Sequence, residues 1–513
     1  MSTRREFLHL AAGAAAATVG LGAVRLGTGS PTRALAGGVL SSGSNARPAA
    51  SPQTTTSEVN AFFSRPDLHP PRITATRAAS SFTLGGPGGR FVLITVNRGP
   101  GAAAGGQDGL MILDGDARMR WFLPTTDTPF DLQCQFYKGG QVLSWWEGAV
   151  TNGTGSGEAV LADMSLNEVA RLGEIDGLNP DLHELTLTPE GTALMTAYHT
   201  EPADLSSVGG PKAGYLLASA AIEVDVATGK LVRRWESTDH VPISATYQKF
   251  SGGTEKQPFD YFHINSVAVA TDGNLIISSR NTWAIYKVER TSGDVMWRLN
   301  GKASDFTMGT GTNFYWQHHA RPHGNGIFSV FDDGAAPDEE PLSRGLVLNV
   351  DENNMTCQLE RSVSHPGVLA VAEGSVQLLS DGGMLVGFGA EPYFSRFSST
   401  GEILVDGHLP KAVTSYRAFA ANFATTPAGK PAVAVSAGHE SHVVYVSWNG
   451  ATEVVAWRVL AGPKPGELSS STTTEWADFE TAVPVNNAGP YFQVVALDGA
   501  GRELGSSDLV NVG

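Results

Sequence analysis

Thirteen histidines are scattered through the 513 residues of this chain, and three segments carry four of them in similar short polar clusters. His263 lies in Asp260-Tyr-Phe-His-Ile-Asn-Ser266, directly before an apolar run that ends in Ser278-Ser279-Arg280. His318 and His319 lie in Trp316-Gln-His-His-Ala-Arg321, and His183 lies in Asp181-Leu-His-Glu184, each again at the start of a strand-like run. An imidazole can attack an electrophile or pass a proton near neutral pH, and a guanidinium grips an oxyanion with paired hydrogen bonds. His and Arg together are therefore chemistry for an anionic group. Three His also suit Zn²⁺, but none of these has the i, i+4 spacing of a helical H-E-x-x-H, and an Arg in the cluster opposes a cation. Taken singly, a His at a strand start reads as a hydrogen-bonded structural residue, and Arg280 reads as the partner of a surface carboxylate. Their shared position in three segments makes them one candidate site.

Residues placed this way need a scaffold that gathers strand starts, and the sequence supplies a repeating unit of paired strands. Its clearest copies are Ile222–Trp235, Ile285–Trp297 and Met111–Trp121, with weaker ones at Val160–Leu172, Leu346–Leu359 and Tyr393–Val405. The turn positions Asp114, Asp163, Asp225, Glu289, Asp351 and Ser398 recur at intervals of 47 to 64 residues. Partner strands opened by Gly turns stand at Tyr137–Glu147, Thr188–Tyr198, Thr271–Arg280 and Ser380–Gly389, and Asp-Gly or Gly-Gly before an alternating apolar run is hairpin chemistry. Six four-stranded units predict an all-β protein with a six-bladed β-propeller over residues 57–425. In that architecture the innermost strands line a central channel, where loop-borne polar groups from several blades can meet. Beyond about residue 425, Val443–Trp448, Val454–Leu460 and Tyr491–Leu497 have the spacing of a small sandwich. Residues 426–513 are accordingly predicted to form a fibronectin type III-like β-sandwich, with Trp448 and Tyr491 in its core.

Composition points the same way. Sixty Gly and 28 Pro supply turns, while charged residues are only 17%, below the roughly 25% of ordinary soluble domains. Apolar residues at 41% can bury a large core, which excludes bulk disorder and a coiled coil. A net charge of −16 repels phosphate backbones, so nucleic acid is an unlikely partner and any anion site must be built locally. Two Cys, Cys134 and Cys357, exclude a disulfide framework and a cysteine-rich zinc site; they lie in different blades, as free thiols or as one long-range bridge. The chain opens Thr3-Arg4-Arg5-Glu6-Phe7-Leu8 and runs through an Ala/Gly-rich stretch to about Val24, with Ala34-Leu35-Ala36 as a cleavage site. Residues 1–36 thus read as a twin-arginine signal peptide and 37–56 as a flexible linker, which places the mature protein in the periplasm or cell envelope or outside the cell. No later run is long and apolar enough to span a bilayer.

Three segments, DYFHINSVAVATDGNLIISSRNTWAIYKVERTSGDVMWRLNG (260–301), FYWQHHARP (314–322) and SVFDDGA (329–335), resemble the arylsulfotransferase family, the PAPS-independent aryl-sulfate sulfotransferases. The likeness is to the branch found in secreted bacterial and fungal proteins and runs over about residues 58–462. YKGGQVLSWWEG (137–148), VDGHLPKAVTSYRAF (405–419) and YVSWNGATEVVAWRVLAG (445–462) carry it further. The resemblance implies a six-bladed propeller that moves a sulfuryl group from a phenolic sulfate ester to a phenolic acceptor through a sulfated histidine, with no nucleotide, metal or other cofactor. By position, His318 matches the transiently sulfated nucleophile, His263 and Arg280 match the sulfate-site His and Arg, and His183 matches a further channel His. His319 stands where the branch commonly has Asp. His319, Arg321, Trp283 and Tyr315 are expected on the substrate side, with the aromatics and Trp316 available to stack on a phenol ring. Two other readings stay open: a non-catalytic propeller binding an anion, glycan or partner protein, and a metal-dependent hydrolase or lyase on the same scaffold.

Overall fold

The computed structural model describes residues 57–437, 441–486 and 489–513; the expected signal peptide 1–36 and linker 37–56 lie outside the described residues. The chain is all-β, and residues 74–421 form six mainly antiparallel sheets. Within each sheet the strands lie side by side in chain order, as in Ile264–Val269, Leu275–Ser279, Ala284–Val288 and Val295–Leu299. Two sheets borrow from the far end of the chain. Thr74–Arg77 adds an edge to the sheet of residues 375–408, and Ala418–Ala421 adds the first edge to the sheet built on Phe91–Arg98.

The six first strands are Thr128–Tyr137, Pro180–Leu187, Ile264–Val269, His318–Pro322, Ser375–Leu378 and Ala418–Ala421. Each touches the next, and the last touches the first, so these inner strands close a ring. Middle strands such as Leu275–Ser279 are buried along their whole length, because neighbouring sheets cover both faces. Six apolar clusters fill the six gaps between neighbours. Phe91 meets Leu143, Leu161 meets Met195, Leu194 meets Ile277, Ile276 meets Leu346, Val347 meets Val386, and Leu385 meets Met111.

The recurring turn residues do one local job. Asp114, Asp163, Asp225, Glu289, Asp351 and Ser398 each accept main-chain N–H bonds from the turn that joins the third strand to the fourth. A left-handed residue follows inside each turn: Ala117, Leu166, Gly229, Gly293, Met355 or Gly401. A side-chain acceptor three or four residues upstream offsets the cost of that backbone when the residue is not Gly.

After residue 425 two further sheets pack around Val444, Val446, Trp457, Val459, Phe492 and Val494. They are anchored on the first sheet, where the Arg120 guanidinium lies 3.3 Å from the Trp476 ring centroid. Trp448 lies in that core as expected, but Tyr491 does not: it is half-buried, and strand alternation sends Phe492 inward instead. Cys134 and Cys357 are both free thiols. Among the described residues no helix is long and apolar enough to cross a membrane.

Candidate active site

The inner strands break regularity where they meet the middle of the ring. Register shifts fall between Phe130 and Gln133, Ile264 and Ser266, and His318 and Arg321, and between Met195 and Ala197 on the strand paired with Pro180–Leu187. Non-glycine residues with positive φ gather at the same level: Asp131 at 57°, His263 at 55°, Trp283 at 53°, Trp316 at 58°, His319 at 53° and Glu373 at 73°. Bulges re-aim side chains, and strained backbone in a bulky residue persists only where the surroundings hold it. So many in one place mark a functional centre.

Three imidazoles meet there. The ring centroids of His183 and His263 are 4.9 Å apart, those of His183 and His318 are 6.3 Å apart, and one nitrogen from each ring lies within 4.8 Å of the others. All three are buried. Each Nδ1 faces an aspartate: Asp181 at 2.5 Å from His183, Asp260 at 2.5 Å from His263, and Asp333 at 2.8 Å from His318. An Nδ1–H donated to a carboxylate fixes the ring and leaves Nε2 with its lone pair free. The carboxylates are themselves placed. Asp181 also accepts from the Gly155 N–H and the Thr196 hydroxyl. Asp260 sits on Phe259–Asp260, which pairs with Leu216–Leu217 in a hairpin longer than most others in the ring.

Arg280 follows the strand Leu275–Ser279 and donates its main-chain N–H to the His263 carbonyl at 3.0 Å. Its guanidinium lies over Trp316 at 4.8 Å and donates to the Val371 carbonyl and the Asn281 amide oxygen, both at 3.1 Å. No carboxylate oxygen comes within 4 Å of it among the described residues, so its charge is open to a ligand. Burial, and next the Arg280 charge, hold His318 well below the ordinary imidazole range; burial also lowers His183 against the pull of Asp181. His318 is therefore held as a neutral imidazole beside a cation.

A second buried network braces this one. Arg417 donates to Asp131 at 2.9 Å and to the carbonyls of His183 at 2.8 Å and Asn265 at 3.0 Å, and the Tyr416 hydroxyl donates to the same His183 carbonyl. Glu184 lies 3.5 Å from Arg417 and 2.6 Å from Arg321. One guanidinium thus ties four inner strands together around the His183 backbone.

The structure brings His183, His263, His318 and Arg280 together. His319 turns elsewhere: its Nδ1 accepts the Val376 N–H at 3.3 Å and its ring packs on Phe419. Arg321 is engaged by Glu184, so neither it nor His319 joins the three-imidazole cluster. Trp283 stacks on Tyr247 at 3.6 Å and meets Tyr315 and Trp316 edge-on at 5.0 Å and 5.1 Å. These half-buried rings form an aromatic wall running outward from the Trp316 that carries Arg280. Asp181, Asp260, Asp333, Asp131, Glu184 and Arg417 received no role from the sequence, although all but Asp131 stand in a segment that drew attention. The signal was an acid two or three residues before a His, or a paired Asp-Asp after the next strand.

The three imidazoles are also close enough to receive a divalent cation, with carboxylates behind them as metal-bound imidazoles usually have. The Arg280 guanidinium beside His318, which makes no close ion pair among the described residues, favours an oxyanion in that place instead.

A family model for arylsulfotransferase (ASST) matches residues 133–409. No curated protein matches the chain. Among solved structures, the chain is similar to a protein of unknown function from Bacteroides caccae at 14% identity, over 65% of this chain and 100% of that one, with a TM-score of 0.38. A protein from Lactobacillus plantarum is similar at 11% identity, over 78% and 100%, with a TM-score of 0.35. The catalytically inactive virginiamycin B lyase from Staphylococcus aureus with quinupristin is similar at 9% identity, over 74% and 96%, with a TM-score of 0.31.

Proposed function

This chain belongs to the arylsulfotransferase family, and we propose that it moves a sulfuryl group from a phenolic sulfate ester to a phenol in two steps through His318, without a nucleotide donor. One juxtaposition supports the reading: a buried imidazole set on Asp333, next to a guanidinium with no carboxylate oxygen within 4 Å among the described residues. Sulfate monoesters resist nucleophiles because their oxygens carry negative charge. Arg280 takes that charge, beside the ring nitrogens that His183 and His263 present within 4.8 Å of that of His318. Nε2 of His318 then attacks sulfur, the S–O bond to the donor breaks, and the phenolate leaves with a proton from the site. In the second step the acceptor oxygen attacks sulfur and gives up its proton. The S–N bond breaks and its electron pair returns to Nε2.

The same reading takes the ring of six sheets, residues 57–425, as a six-bladed propeller and residues 426–513 as a fibronectin type III-like sandwich. Residues 1–36 serve as a twin-arginine signal, so the enzyme meets its phenolic donors and acceptors outside the cytoplasm. Turnover of p-nitrophenyl sulfate with added phenol tests the activity, read as nitrophenol release matched by phenyl sulfate formation. Release no faster than in buffer contradicts it, and loss of activity to a chelator favours the metal-dependent alternative.

A further inference from the structure

Both half-reactions move a proton at the phenolic oxygen, and the three histidines have their Nδ1 atoms committed to aspartates. A carboxyl group in the same ring is uncommitted. Glu373 lies two residues before the inner strand Ser375–Leu378, at the same end of its strand as His263, one residue before Ile264–Val269, and His318, the first residue of His318–Pro322. Like His263, it keeps a left-handed backbone, at φ 73°, which no turn of Gly relieves.

Its neighbours fix it against the site. Two residues upstream, the Val371 carbonyl accepts from Arg280; one residue downstream, the Gly374 N–H donates to the Tyr416 carbonyl at 3.0 Å. Across the loop, a Cβ on Gly389 would fall 2.6 Å from that of Glu373, so Gly389 is what lets the loop close there. The Glu373 charge reaches Asp333, behind His318, and Tyr416, behind His183. The other acids of the centre, Asp131, Asp181, Asp260, Glu184 and Asp333, all have a hydrogen-bonded or ionic partner. Glu373 has none among the described residues. The residue is half-buried, and burial pushes its pKa up to about 7.

We propose that Glu373 is the acid–base residue of the transfer, giving its proton to the donor's leaving oxygen and regaining one from the acceptor. This rests on the two-step reading through His318. In the first step the carboxylic acid protonates the phenolate as the S–O bond breaks and the S–N bond forms, leaving a carboxylate. In the second, the carboxylate takes the acceptor's O–H proton as its oxygen bonds to sulfur and the S–N bond breaks. The carboxyl returns to its starting state, and no other reactant is needed.

The test uses the full chain and Glu373→Gln with aryl sulfates whose phenols differ in acidity. Nitrophenolate leaves without help, so His318 sulfation from p-nitrophenyl sulfate should stay within a few-fold of the parent, which also shows that the variant is folded. Donors of weakly acidic phenols, such as 4-methylphenyl sulfate, should slow by about 10²–10⁴, and transfer from sulfated enzyme to phenol should slow alike. Glu373→Asp should recover part of the loss. An equal effect on every donor, with the dependence on leaving-group acidity unchanged, overturns the proposal alone. Absence of a His318 adduct in the parent overturns both it and the two-step reading.

Discussion

Asp333 Oδ2 lies 2.8 Å from His318 Nδ1, and one strand pair delivers both. His318 opens the inner strand His318–Pro322 and pairs with Phe331 on the strand that turns back beside it; Asp333 follows two residues later. The pair is sealed in the protein, so the imidazole cannot find another orientation without breaking the sheet edge. The tautomer that presents an Nε2 lone pair is a product of the fold.

Replacing that carboxylate should therefore damage chemistry more than binding. In Asp333→Asn an amide N–H can face Nδ1, which moves the ring proton to Nε2 and blocks the nucleophile. Single-turnover nitrophenolate release is expected to fall by about 10²–10⁴ with little change in KM. A fall confined to KM would place the pair in substrate binding.

Arg280 should behave as an oxyanion anchor. Arg280→Ala is expected to cost about 10²–10³ in kcat, as for removal of a single oxyanion donor. Arg280→Lys should recover only part of this, because a point charge does not reproduce the planar fork or its stacking on Trp316. Steady-state kinetics on both variants check it, and full activity in the lysine variant would contradict it.

The depressed pKa of His318 has a signed consequence for stability. Its folded value lies below its unfolded value, so the unfolded chain binds the extra proton first as pH falls. The stability tied to the neutral ring is complete above the unfolded value of about 6.5 and is lost as pH falls below it. Asp333 and Glu373, both raised by burial, act in the opposite sense over the acidic range. Comparison with a variant isolates the histidine: the drop in Tm from pH 7.5 to pH 5 should be smaller in His318→Asn than in the parent. An equal drop in both would mean that His318 titrates normally.

Much of the framework was readable because its determinants are local. The six turn residues from Asp114 to Ser398 each cap a turn within four positions, and hairpin chemistry of that range is written in adjacent letters. The three histidines were readable by their common place before an apolar run. Of the groups that tune them, Asp181 and Asp260 stand within three positions of their His, but the others are not local. Asp333 is 15 positions from His318 and Asp131 is 286 from Arg417, so only the closed ring makes them neighbours. Left-handed backbone at Trp316 and Glu373 has no sequence mark, since nothing in those residue types favours it. The bulge between His318 and Arg321 turns His319 to Val376 and Arg321 to Glu184, contacts that no local pattern announces.

The central claim is that His318 carries the sulfuryl group. The direct measurement is peptide mass spectrometry of the full chain after brief incubation with an aryl sulfate and no acceptor. A sulfuryl adduct on His318 is expected, absent in His318→Ala and discharged when phenol is added. An adduct on His319, or nitrophenol release with no adduct on any histidine, would contradict the account.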